Sequence, residues 1–109
     1  MAHLVIEILE EKKAEDIILM DLKEVADFTD YFIICNGTSD RMLNSLADAV
    51  SEKVKEVYKI IAKREGDPNE GWLLVDLGDI VIHLFSPELR EYYQLEKLWQ
   101  QGKTLVHVQ

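Results

Sequence analysis

Apolar positions along this chain change period several times, and each change marks an element. Leu4, Val5, Ile8 and Leu9 recur at helical spacing among Glu7, Glu10 and Glu11, which predicts an amphipathic helix ending near Lys12-Lys13. Ile17-Ile18-Leu19-Met20 is a continuous apolar run between Asp16 and Asp21. It is too short for a buried helix and predicts a central strand covered on both faces. Lys23–Asp30 is polar and turn-like, with Val25 and Phe28 expected to reach the core. Tyr31–Cys35 predicts a second buried strand, closed by Asn36-Gly37. Thr38-Ser39-Asp40 offers N-caps for the longest helix, whose apolar stripe runs through Leu43, Leu46, Ala47, Val50, Val54 and Val57. Lys59–Arg64 predicts a short third strand, with Ile60 and Ala62 opposite Ile61, and Glu65–Glu70 a surface loop.

The next stretch, GWLLVDLGDIVIHLFSPELREYYQLEKLW, carries the strongest signal. Trp72–Leu77 and Ile80–Phe85 have strand length and are separated by Gly78-Asp79, the pattern of a β-hairpin. Alternation places Trp72, Leu74 and Asp76 on one face with Val81, His83 and Phe85 separated from Ile80, Ile82 and Leu84. Ser86-Pro87-Glu88 supplies an N-cap, a proline at the first helical position and an acid in the first turn, so a helix follows. Leu89, Tyr92 and Tyr93 share its side, with Leu95, Leu98 and Trp99 beyond. From Gln100 the helical period is lost, and Thr104–Val108 alternates only weakly, as a loose edge strand or tail would. The order of elements predicts one α/β (α+β) domain over residues 1–99, a five-stranded mixed sheet flanked by helices, with a C-terminal tail at 100–109. The pattern leaves strand order open.

Composition narrows the partners. The 109 residues carry a formal net charge of −9 and no basic run, since Lys12-Lys13 and Lys63-Arg64 are isolated pairs close to acids. A broad nucleic-acid face needs cations to neutralise phosphate, so little or no direct nucleic-acid binding is expected. An acidic surface favours a basic protein partner. No apolar run approaches the ~18 residues of a membrane span. The first residues lack the features of a signal or transit peptide, which points to a cytoplasmic protein. Cys35 is the single cysteine and sits in an apolar strand, so it reads as a small buried hydrophobe.

Candidate chemistry is sparse. Asp21, Asp76 and Asp79 lie at strand ends, where carboxylates can hold metal, but Asp76 and Asp79 flank a Leu-Gly turn that itself favours Asp. His83 has no neighbours at metal-ligand spacing and reads as a hydrogen-bonded structural or interface histidine. Gly37-Thr38-Ser39 opens a helix after a buried strand, as phosphate-binding turns do, but without a P-loop lysine or second glycine. Nucleotidyltransferases follow such a turn with paired metal-binding acids, and here the corresponding window holds Asp48 alone. No catalytic residue, metal or cofactor is expected. What remains is a surplus of Trp72, His83, Phe85, Arg90, Tyr92, Tyr93 and Trp99 in a chain with 8% aromatics, the composition of interaction hot spots.

These residues also carry a resemblance. Thr29-Asp30-Tyr31-Phe32-Ile33-Ile34, Gly37-Thr38-Ser39-Asp40-Arg41, Glu65-Gly66, Gly71-Trp72, Asp76 through His83, Phe85 and Arg90 through Trp99 resemble the Iojap family, the ribosomal silencing factors. The similarity runs in register from about Ile6 to Trp99. It implies a nucleotidyltransferase-like fold without the catalytic acids and a non-enzymatic role in translation. It further implies binding to the uL14-type protein of the large ribosomal subunit, which blocks joining of the small subunit when nutrients are scarce, and a homodimer in the free state. On this reading Trp72, Asp76, Asp79, His83, Arg90, Tyr93 and Glu96 form or support the contact surface. Two alternatives stand beside it: a residual nucleotidyltransferase using Gly37-Thr38-Ser39 with Asp21 or Asp76, and a homo-oligomeric scaffold pairing through the hairpin face.

Overall fold

A computed structural model of the chain describes residues 1–94 and 103–108. Helix α1 (Ala2–Glu11) leads into strand β1 (Glu15–Asp21), which pairs antiparallel with β2 (Tyr31–Asn36). Helix α2 (Asp40–Tyr58) follows, started by the Ser39 hydroxyl, which accepts the Met42 N–H, and ended by Lys59 in the left-handed region. Next come β3 (Lys63–Asp67), a 3₁₀ turn at Pro68–Glu70, and the hairpin of β4 (Trp72–Asp76) and β5 (Ile80–Phe85). Helix α3 (Pro87–Tyr93) is capped by Ser86, whose hydroxyl accepts the Leu89 N–H. Strand β6 (Lys103–Val108) returns to β1.

The six strands form one mixed sheet in the order β3-β4-β5-β2-β1-β6. Only β2 and β5 pair in parallel, and α2, β3 and β4 make the crossover between them. Its α+β class is the one expected. The strand count is six rather than five, because the weakly alternating tail segment pairs along β1.

Each sheet face buries its own set. Ile17, Leu19, Ile33, Cys35, Leu73, Val75, Ile80, Ile82 and Leu84 pack under α1 and α2, against Val5, Leu9, Leu43, Leu46, Ala47, Val50 and Val54. Ile18, Met20, Leu22, Phe32, Ile34, Val81 and Phe85 form the opposite cluster, with Val25, Trp72, Leu74 and Leu89 packed beside them. The β1 and β2 runs are therefore apolar on both sides, as their continuous hydrophobic sequence requires.

Three expectations shift. The third strand starts at Lys63, not Lys59: α2 runs on to Tyr58 and Lys59 caps it, so Ile60-Ile61-Ala62 are connector, and the strand is the wholly exposed edge segment KREGD. Val57, expected on the buried stripe, is half exposed, because α2 has passed the sheet by then. Phe28 is 61% exposed, resting its ring on Phe32 from outside rather than entering the core.

Candidate partner-binding site

The candidate site is assembled on the sheet face opposite α1 and α2. Alternation along β5 sends Val81, His83 and Phe85 to that face, and Trp72 and Leu74 join them from β4. Trp72 pairs with Phe85 across the hairpin. Gly66 seats the Trp72 ring, and Gly71 lets the chain pass close to the start of α3. Gly66, paired near it on β3, has φ +98°, and a Cβ there would lie 2.6 Å from the Trp72 carbonyl oxygen and 2.8 Å from its ring. Gly71 has φ +85°, and a Cβ there would meet the Ser86 hydroxyl at 2.5 Å. Only glycine allows both the left-handed backbone and this closeness.

Rings continue across the sheet in a row. Phe28 meets Phe32 (centroids 5.8 Å), Phe32 meets His83 edge-on (4.6 Å), and His83 stacks on Phe85 (6.0 Å). Phe85 meets Tyr93 (6.1 Å), and Tyr93 meets Tyr92 (5.2 Å). The row begins and ends in solvent: Tyr93 is 50% exposed and Tyr92 78%. Between β4, β5 and α3 it borders an open cleft of about 440 Å³ lined by Glu70, Trp72, His83, Phe85, Leu89 and Tyr93.

His83 departs from the hydrogen-bonded role expected of it. It is 8% exposed, and both ring nitrogens are closed off from solvent without a hydrogen-bond partner among the described residues. The neighbouring aromatic rings offer no acceptor of ordinary strength. Burial disfavours the charged ring and lowers its pKa to about 4, so His83 is neutral at physiological pH.

The other predicted residues divide. Asp76 Oδ1 accepts the Gly78 N–H (2.8 Å), which closes the hairpin turn. Asp79 is exposed, but its carbonyl anchors the loop opposite, accepting the Asp30 and Tyr31 N–H groups (both 3.0 Å) and the buried Thr29 hydroxyl (2.9 Å). Arg90 faces inward, 5% exposed. Its Nη1 donates to the Asn36 side chain (3.0 Å) and to the Asp16 carbonyl, and its Nη2 pairs with the Asp16 carboxylate (3.3 Å). It thus ties α3 to β1 and β2 and positions the cleft wall without touching its opening. Glu96 lies outside the described residues, as do Leu95, Leu98 and Trp99.

Asp16 and Glu70 carry no role in the sequence pattern, and Gly66 and Gly71 enter it only through the family resemblance. Asp16 holds φ +51° where the β1 register shifts, which turns its carbonyl toward Arg90, and its carboxylate also meets His107 on β6 (2.5 Å). Nothing local in the sequence marks Asp16.

The residues of the enzymatic alternative make local contacts. Asp21 Oδ1 accepts the Lys23 N–H (3.0 Å), and Asp48 pairs with Arg64 (2.6 Å). The Thr38 N–H and hydroxyl face the Met42 sulfur, and Ser39 caps α2. Among the described residues no three His, Cys, Asp or Glu side chains are grouped to hold a metal. Cys35 is fully buried, and burial pushes its thiol pKa up to about 12. No helix among the described residues is long and apolar enough to cross a membrane.

A family profile described as "Ribosomal silencing factor during starvation" matches residues 1–109. This chain belongs to the ribosomal silencing factor family. It is 41% identical over 90 residues to the ribosomal silencing factor of Bacillus subtilis, covering 83% of this chain and 76% of that one. It is 37% identical over 99 residues to a mouse protein named "Mitochondrial assembly of ribosomal large subunit protein 1", covering 88% of this chain and 43% of the mouse protein. A solved structure from Chromobacterium violaceum superposes with a TM-score of 0.85 at 35% identity, over 99% of this chain and 89% of that one. The family match includes β6, which the resemblance ending at Trp99 did not reach. Relatives in this family are named as silencing factors rather than as enzymes.

Proposed function

We propose that this protein binds the large ribosomal subunit through its uL14-type protein and, seated there, blocks the small subunit from joining. Translation then falls under nutrient limitation. The protein acts in the cytoplasm, without catalysis, and forms a homodimer when free. Family membership over the whole chain supports a silencing role. The observation that carries the docking reading is the aromatic row running out into solvent at Tyr93 and Tyr92 beside the Trp72 cleft. Large aromatic groups at the rim of a cleft, with a chain charge of −9 around them, suit a basic protein surface better than RNA.

Trp72 and Tyr93 are assigned direct contact. Asp76, Asp79, His83 and Arg90 support it, through the hairpin turn, the loop anchor, the cleft lining and the α3 tie respectively, and Glu96 is assigned to the contact on the family resemblance alone. Sedimentation of the protein with isolated large subunits, and pull-down of the isolated uL14-type protein, tests this. Binding to both is expected. Binding to neither overturns the reading, and binding to subunits without the isolated protein overturns the uL14 assignment.

A further inference from the structure

The cleft holds one feature that a purely apolar anchor does not explain. Glu70 stands at its edge, at the end of the 3₁₀ turn, where Gly71 reverses the chain through a left-handed φ. The Glu70 side chain is exposed and makes no hydrogen bond or ion pair among the described residues. Several other acids here are engaged: Asp16 with Arg90, Asp21 and Asp76 with turn N–H groups, Asp48 with Arg64. Glu70 instead is exposed and lines the cleft together with Trp72, Phe85 and Tyr93.

We propose that this cleft is an arginine pocket: it takes a guanidinium from the protein partner, stacked on the Trp72 and Tyr93 rings and forked onto the Glu70 carboxylate. The proposal rests on the docking reading above and names the chemistry of the group that enters. A planar cation between aromatic faces gains cation–π attraction, and its paired N–H donors match a carboxylate. A lysine ammonium meets the charge but not the planar stacking, and an apolar side chain leaves Glu70 desolvated without a partner. The volume of about 440 Å³ admits a guanidinium with its methylene stem. His83 at the cleft is neutral and adds no positive charge against the entering cation, and the Arg90 guanidinium on α3 is paired with Asp16. The net charge of −9 likewise draws a basic partner.

Two measurements test the pocket. In the first, the full chain is titrated with N-acetyl-arginine amide, N-acetyl-lysine amide and N-acetyl-norleucine amide, followed by ¹H–¹⁵N and aromatic NMR. The arginine amide is expected to shift the Trp72 indole and Tyr93 signals most strongly, and Glu70→Gln to remove the difference. Equal shifts from arginine and norleucine amides overturn the pocket; equal shifts from arginine and lysine amides overturn its preference for guanidinium. In the second, Glu70→Lys, checked for wild-type spectra, is compared with wild type for affinity to isolated large subunits. A loss of about tenfold or more is expected for a reversed charge at a desolvated contact. Wild-type affinity in the variant contradicts the pocket while leaving the docking reading intact. Wild-type protein that fails to bind subunits contradicts the docking reading, and the amide titration then decides the pocket on its own.

Discussion

At the scale of single residues, the site is built from groups whose local cost is visible. His83 keeps two buried nitrogens without partners, an arrangement that costs roughly 1–3 kcal/mol per unsatisfied group. Its lowered pKa makes the cost depend on pH. Above pH 6.5 the ring is neutral in folded and unfolded chains alike. As pH falls from 6.5 toward 4, the unfolded chain takes up a proton that the folded chain refuses, so stability declines; below 4 the effect is complete. His83→Phe removes this proton and keeps a ring between Phe32 and Phe85. Urea unfolding at pH 7.5 and pH 5 is predicted to show wild type losing about 2 kcal/mol relative to the variant across that interval. Parallel losses would contradict the assignment. Gly66 is the second case. Gly66→Ala must hold φ near +98° and push a methyl into Trp72, a loss of about 2 kcal/mol or more. The Trp72 signals should move with it in near-ultraviolet circular dichroism, and an unchanged spectrum and midpoint would refute the seating role.

At the scale of elements, pattern and structure agree where burial marks the sequence, on one face as in α2 or on both as in β1 and β2. The hairpin was legible because β4 and β5 are apolar runs of strand length, interrupted in β5 only by His83, and Gly78-Asp79 closes them; α2 was legible from its stripe and its Ser39 cap. Edge strands were not. β3 is KREGD, exposed at every position, so no burial stamps a period on its sequence, and the apolar Ile60-Ile61-Ala62 beside it mimicked the strand. Charges on an open edge are also what discourages pairing with another sheet. β6 showed only weak alternation, yet it covers the other edge beside Ile17 and Leu19. Deleting residues 103–109 should uncover that edge. Thermal unfolding is predicted to drop by roughly 10 °C, the equivalent of ~2 kcal/mol in a domain this size, with association beyond the dimer on size-exclusion chromatography. An unchanged midpoint and a unimpaired monomer-to-dimer profile would show that β6 contributes little.

At the scale of the whole molecule, the two sheet faces divide the work. One is sealed by α1 and α2 and holds the fold together; the other carries the aromatic row and the cleft. Which aromatic residues share a face could be read from period-two alternation. Which of them reach solvent could not, because that depends on how α3 sits, and α3 is set by Arg90 reaching across 74 residues to Asp16. A surface-type residue in sequence thus became an internal tie, while Tyr92 and Tyr93 beside it stayed outside. On the function proposed above, this face keeps ribosomal subunits apart. Light scattering of isolated large and small subunits mixed with the protein measures that directly, with Trp72→Ala as the control. The wild-type protein should lower the joined-ribosome signal in proportion to its concentration, and the folded variant should need about 30-fold more, the equivalent of ~2 kcal/mol at a hot-spot aromatic. Undiminished joining with saturating wild-type protein, or equal potency from Trp72→Ala, would contradict the account.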